Sequence, residues 1–268
     1  MQREIVLLLA VLVLASGCRT MDRLSFIRPS AARGEFRQVA PSRDVSGKPG
    51  KQSADPVLML QTAGDAYRLG DLVRADALAT AALKHGADVG DANTLLGVIA
   101  DARDQPARAG EHYRAAVAAN PGQGLFANNY GTWLCANGRA DESLAWFDRA
   151  VTDPNYPTPA SALTNAGACA RKAGQPIRAE ANWRLALAAQ PLNPEALAGL
   201  AALEADRGHN MEARAFVERW LELAPNDPDA LQLAIRIEEA RSDNQAAARY
   251  RNRLQQTSPT MQTQSPTP

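Results

Sequence analysis

Two thiols, three asparagines with a threonine, and a short basic run are the side chains whose types and spacing suit them to chemistry. Cys135 and Cys169 stand 34 residues apart. In an oxidising compartment such a pair forms a bridge, and a bridge closing a loop of about 35 residues constrains the unfolded chain by about 3 kcal/mol. The alternative is two reduced thiols filling small buried positions. Asn128, Asn129, Thr132, Asn165, Arg171 and Lys172 make up a second candidate set. An amide carries donor and acceptor together, which suits the backbone of an extended peptide; the competing role for each Asn is to cap or bridge to a neighbouring helix. Catalysis has no such support. His85, His112 and His209 are far apart and suit solvent better than a general base, and no Ser/His/Asp spacing, paired acids or phosphate-cradling Gly loop occurs. Three Cys and three His, none at ligand spacing, lead us to expect no metal and no cofactor.

The elements that hold these residues follow from composition and period. Lys+Arg and Asp+Glu are equal at 29 each, which argues against a nucleic-acid partner. With 46% apolar but only 5% aromatic residues, the chain suits helices better than a β-sandwich. A 34-residue period dominates. Gly70, Asp104, Gly138, Gly174, Gly208 and Ser242 mark a turn between two helical stretches, with one interval lengthened to 36. Five residues after each stands Ala75, Ala109, Ser143, Ala179, Ala213 or Ala247, small enough for two helices to cross closely. Four residues further come Ala79, Tyr113, Phe147, Trp183, Val217 and Arg251, mostly bulky; seven before the turn are Ala63, Gly97, Gly131, Gly167, Ala201 and Ile235, mostly small. Pro121, Pro191, Pro225 and Pro259 stop the second helices.

This pattern resembles the tetratricopeptide repeat, a 34-residue helix-turn-helix unit. The resemblance implies an all-α, right-handed superhelical solenoid of six units: 56–89, 90–123, 124–159, 160–193, 194–227 and 228–258. The first and last fit least well, as repeats with one uncovered face do. Cys135 and Cys169 then fall in first helices of adjacent units, and Asn129 and Asn165 share one phase on the face lining the concave groove. Trp146, Trp183 and Trp220 fall on second helices, as core residues. The longer third unit holds Asp153-Pro154-Asn155-Tyr156-Pro157-Thr158-Pro159, a stiff extended segment read as an elbow or a rim contact.

Ahead of the repeats, Arg3 precedes an apolar run from Ile5 to Ala15, too short for a bilayer, which takes about 20 residues. It reads as the core of a signal peptide, residues 1–17. Leu14-Ala15-Ser16-Gly17-Cys18 is similar to a bacterial lipobox, which implies acylation of Cys18 and, with Arg19 rather than Asp following, anchorage in the outer membrane facing the periplasm. Residues 18–55 then form a disordered tether with eight cations against four acids; the repeats carry 20 against 24; residues 259–268 form a loose tail.

Three segments go beyond a generic repeat: Asn-Asn-Tyr-Gly-x-Trp-Leu-Cys at 128–135, Asp-Pro-x-Tyr-Pro-Thr-Pro at 153–159 and Asn-Ala-Gly-x-Cys at 165–169. With the lipobox, they make the chain resemble the type IV pilus biogenesis lipoproteins PilF and PilW. That resemblance implies a non-enzymatic pilotin, which binds the pilus secretin and helps it reach the outer membrane and multimerise. Its partners would be the secretin and, through Cys18, membrane lipid, with no nucleic acid and no small-molecule substrate. The alternative is a periplasmic scaffold recruiting peptidoglycan enzymes or another envelope complex.

Overall fold

The computed structural model describes residues 55–257, and among them every regular element is a helix. There are twelve: α1 Pro56–Arg68, α2 Leu72–Lys84, α3 Val89–Ala102, α4 Pro106–Ala119, α5 Gly124–Ala136, α6 Ala140–Thr152, α7 Pro159–Lys172, α8 Pro176–Ala189, α9 Pro194–Asp206, α10 Asn210–Leu223, α11 Pro228–Ala240 and α12 Asn244–Thr257. They pair as six hairpins. The first helices α3 and α7 each start one residue ahead of the unit boundary read from the sequence. Cys18, the signal peptide, most of the tether and the tail lie outside the described residues.

The turn residues explain the period. Gly70, Asp104, Gly138, Gly174, Gly208 and Ser242 all have positive φ, from 56° to 79°. A residue in this left-handed conformation ends a helix by letting the next N–H reach back to an orphan carbonyl. Asp71 N–H accordingly donates to Ala66 O, and the same bond recurs from Gln105 to Ala100, Arg139 to Leu134, Gln175 to Ala170, His209 to Glu204 and Asp243 to Glu238, at 2.8–2.9 Å. The donor residue then caps the second helix, so no linker is needed; Asp71 and Asp243 accept from Arg74 N–H and Ala246 N–H. Proline opens six of the helices at the first helical position, where the missing N–H costs nothing.

Small and bulky positions meet within each hairpin. A Cβ on Gly97 would stand 2.8 Å from the Tyr113 ring, one on Gly131 would stand 3.0 Å from Phe147, and one on Gly167 would come closer still to Trp183. In the first unit both partners are alanine, and Leu96 and Ile99 from the next unit complete that core. Two glutamates break the apolar pattern: Glu204 and Glu238 are almost fully buried where other units place Ala or Leu. Neither charge is left alone, which burial would make costly. Glu204 meets Arg207 at 3.1 Å and His209 at 2.7 Å, and Glu238 meets Arg214 at 3.3 Å and Arg241.

The backbones of the first helices α1, α3, α5, α7, α9 and α11 each approach the next in the series, whereas those of neighbouring second helices stay further apart and meet through long side chains, as Arg108 with Asp76 and Arg178 with Asp148, both at 2.7 Å. First helices therefore pack along the inner, concave side of the superhelix. The segment after α6 is anchored inward. Asp153 Oδ2 accepts from Gly124 N–H at 2.8 Å and Oδ1 from Asn155 N–H at 2.9 Å, while Tyr156 is buried against Ala127, Ala150 and Ala162. These N–H donors hold the Asp153 carboxyl below the usual carboxylate range.

Candidate functional site

The seam between α5 and α7 gathers most of the sequence candidates. The structure joins Cys135 and Cys169 as a disulfide, with Cα atoms 5.8 Å apart. One to two turns away, the Asn165 amide donates to Asn128 Oδ1 at 3.1 Å and to Thr132 Oγ1 at 3.3 Å. The Thr132 hydroxyl in turn donates to the Asn128 carbonyl at 2.9 Å. Asn165 thus makes the bridge to the neighbouring helix, and its side-chain oxygen faces no donor among the described residues. Asn128 is buried, Asn129 half-buried and Thr132 exposed. Arg171 pairs with Asp206 of α9 at 2.6 Å, and Lys172 is exposed beside it. Disulfide, amide bridge and ion pair fix the spacing of three consecutive first helices.

That spacing sets the walls of a hollow on the concave side. About 910 Å³ in volume, it lies over α7, α9 and α11, one unit further along than the Asn128–Thr132 set. Asn165 and Arg171 stand on its wall; Asn128, Asn129, Thr132 and Lys172 do not line it. Its base consists of Ala168, Ala198, Gly199 and Ala202, with Trp183 and Trp220 reaching up from the second helices. Trp183 is a core residue by burial, at 3% exposed, yet one edge of its indole meets the hollow because Gly199 has no side chain to cover it. From sequence both tryptophans read as core residues only, Gly199 reads only as the place where the groove-facing asparagines stop, and Gln232 and Arg236 do not stand out. The signal available was a cluster of residues no larger than Ala on first helices at groove-facing phases.

The histidines gather no catalytic neighbours. His209 is exposed and joined to Glu204. His112, contrary to the sequence reading, is half-buried on α4, with Nδ1 2.9 Å from Asn93 Oδ1. Burial, and then the Arg108 charge, lower its pKa. No cluster of three or more His, Cys, Asp or Glu able to hold a metal occurs among the described residues, and none of their helices is long and apolar enough to cross a membrane. The arrangement offers an interaction surface: a lined hollow, aromatic faces and exposed charges held on a fixed frame.

Comparison with known proteins bears on what meets that surface. The family model for the tetratricopeptide repeat matches residues 60–124, 102–158 and 169–228. Type IV pilus assembly protein PilF of Pseudomonas aeruginosa is 25% identical over 160 residues, covering 60% of this chain and 64% of that protein. Cellulose synthase operon protein C of Pseudomonas fluorescens is 32% identical over 181 residues, 65% of this chain but 14% of that protein. Among solved structures, PilW, a widely conserved type IV pilus biogenesis factor, superposes with a TM-score of 0.70 at 33% identity, covering 75% of this chain and 92% of that one. The Pseudomonas aeruginosa PilF structure superposes at 0.69 with 23% identity, covering 77% and 93%, which speaks to the fold.

Proposed function

This chain belongs to the tetratricopeptide-repeat type IV pilus biogenesis factors, and from that kinship we propose that it is their pilotin: a lipid-anchored adaptor that binds the pilus secretin and promotes its multimerisation. The kinship itself gives a role in pilus biogenesis and protein partners. The finer reading adds three elements. Cys18 carries the lipid, the anchor sits in the outer membrane with the repeats in the periplasm, and the concave face engages a secretin subunit. Acyl chains contribute roughly 0.8 kcal/mol per buried methylene, so several of them hold the protein firmly on the membrane. Holding bound subunits there raises their local concentration, which favours ring assembly without any new contact. No chemistry is required of the protein, and the repeat fold acts by binding.

The observation that carries the reading is the 33% identity to PilW across 92% of that chain. The similarity to cellulose synthase operon protein C spans 14% of that protein and reflects shared repeats. A deletion strain tests the proposal. Immunoblots of unheated outer-membrane fractions should lose the secretin multimer and retain monomer, with multimers restored by the wild-type gene but not by Cys18→Ala. Stable multimers in the outer membrane of the deletion strain would refute it.

A further inference from the structure

The concave face changes character along its length. In the third unit the inward positions of α5 carry Asn128, Asn129 and Thr132; at matching phases α9 carries Ala198, Gly199 and Ala202. With nothing beyond a Cβ there, the surface drops to the Trp183 indole and opens into the hollow of about 910 Å³ already described. Its rim is charged. Glu195 and Asp229, at the first turns of α9 and α11, stand toward one edge, and Arg236 stands two turns along α11 from Asp229. Arg171 is neutralised by Asp206. Arg236 is exposed and makes no hydrogen bond or ion pair among the described residues.

We propose that this bay receives one large apolar side chain from an extended segment of the protein partner, with a carboxylate next to that side chain paired to Arg236. The inference rests on the concave face being the partner's seat. Alanine and tryptophan surface has little to offer water, so an apolar side chain that fills the bay gains by leaving solvent. The Trp183 edge and the half-buried Trp220 over a base of small residues form the type of pocket in which one anchor residue carries most of an interface's affinity. At the Arg236 end of the bay the guanidinium selects the sign of the flanking charge, since a cation there would face an uncompensated like charge, while Glu195 and Asp229 stand at the other edge. An extended backbone fits because the Asn165 side-chain oxygen on the wall accepts no hydrogen bond among the described residues and can accept a main-chain N–H.

The test uses the full chain in detergent and fluorescein-labelled peptides of twelve residues in a Gly/Ser background, read by polarisation. One peptide carries Phe with Glu two residues away, one Phe with Lys there, and one Ala with Glu. The Phe/Glu peptide should bind about tenfold or more tighter than the Ala/Glu peptide. Ala202→Phe, which fills the bay from a half-exposed position, should abolish that advantage, and Ala198→Leu serves as a second filling variant. Arg236→Glu should reverse the order of the Phe/Glu and Phe/Lys peptides. Equal affinities for all three, or a Phe/Glu affinity untouched by either filling variant, would overturn the inference. In cells, a strain carrying Ala202→Phe should lose secretin multimers as the deletion strain does. If the deletion strain loses them and both filling variants keep them, the bay falls while the pilotin reading stands. Multimers in the deletion strain itself remove the pilotin reading, and the peptide series alone then decides the bay.

Discussion

Three glycines occupy one repeat position at graded distances from a ring, and substituting each by alanine should sort them by that distance. In mid-helix, Gly→Ala contributes about 1 kcal/mol of stability through lost unfolded-state freedom. Against this stands whatever the new Cβ displaces. At Gly131 the nearest Phe147 atom lies 3.0 Å away, so a shift of a few tenths of an ångström in a single ring accommodates it. Gly131→Ala should therefore be neutral or up to about 1 kcal/mol stabilising. At Gly97 the separation is 2.8 Å, and the Tyr113 ring is held by its hydroxyl, which donates to Asp101 at 3.0 Å. Gly97→Ala should fall near zero or slightly below. At Gly167 the Cβ would come closer to the Trp183 indole than real contacts allow, and Gly199 backs onto the same ring from the next unit. Overpacking of this type costs about 1–3 kcal/mol, so Gly167→Ala should destabilise by about 1–2 kcal/mol after the propensity gain, lowering Tm by about 3–6 °C for a chain of this size. Urea unfolding followed by circular dichroism and tryptophan fluorescence checks this, provided the two probes coincide, since repeat arrays can lose two-state behaviour. Adding Trp183→Phe should recover most of the loss, because that pairing is equivalent to Gly131→Ala against Phe147, where the smaller ring needs to give by only a few tenths of an ångström. A Gly167→Ala protein as stable as Gly131→Ala would refute the account of how first and second helices meet.

Reducing the Cys135–Cys169 bridge should lower stability by about 3–4 kcal/mol through release of a loop of about 35 residues; urea melts with and without reductant measure it, and Cys135→Ser should match the reduced wild type. Because Gly124 and Asn155 N–H groups depress the Asp153 pKa in the folded chain, their contribution is present above the ordinary value near 3.8 and is lost as pH falls through the lower folded value. Wild type should therefore lose its advantage over Asp153→Asn across that acid range in parallel urea titrations, and a constant difference would contradict this. Asp104 holds φ 56° where four of the other units use glycine; Asp104→Gly should raise the urea midpoint by the equivalent of up to about 1 kcal/mol, and Gly174→Ala should lower it by about 1–2 kcal/mol.

Much of the architecture was legible because the same constraint recurs in phase. Asp104 and Ser242 were read as turn residues although neither is glycine, since each stands 34 residues from a neighbouring turn; the positive φ at both gives that spacing its physical cause. The pairing of Gly97, Gly131 and Gly167 with Tyr113, Phe147 and Trp183 was likewise visible, because a large side chain on one helix requires a missing one on its partner. What was not legible depends on partners far away in sequence. Glu238 looks like a surface acid in the sequence, and the arrival of Arg214 from the preceding helix, together with the local Arg241, makes its burial tolerable. The anchoring of Asp153 by Gly124 spans 29 residues and follows no period, so the 153–159 segment reads from sequence only as stiff.

The bay was hidden for a different reason. A hollow is built from side chains that are absent, and in sequence an alanine facing a partner's groove is written the same way as an alanine at a helix crossing. Phase alone separates them. Gly167 and Ala168 are adjacent, yet one residue turns the helix by about 100°, and the first is buried under Trp183 while the second is exposed on the concave side. Gly199 combines the two roles: its missing Cβ makes room for the Trp183 ring from below and uncovers that ring from above. A substitution at Gly199 would therefore disturb fold and recognition together. Ala198 and Ala202 are only half-buried and border the same hollow, which makes them the positions where recognition can be altered while the hairpin beneath stays intact.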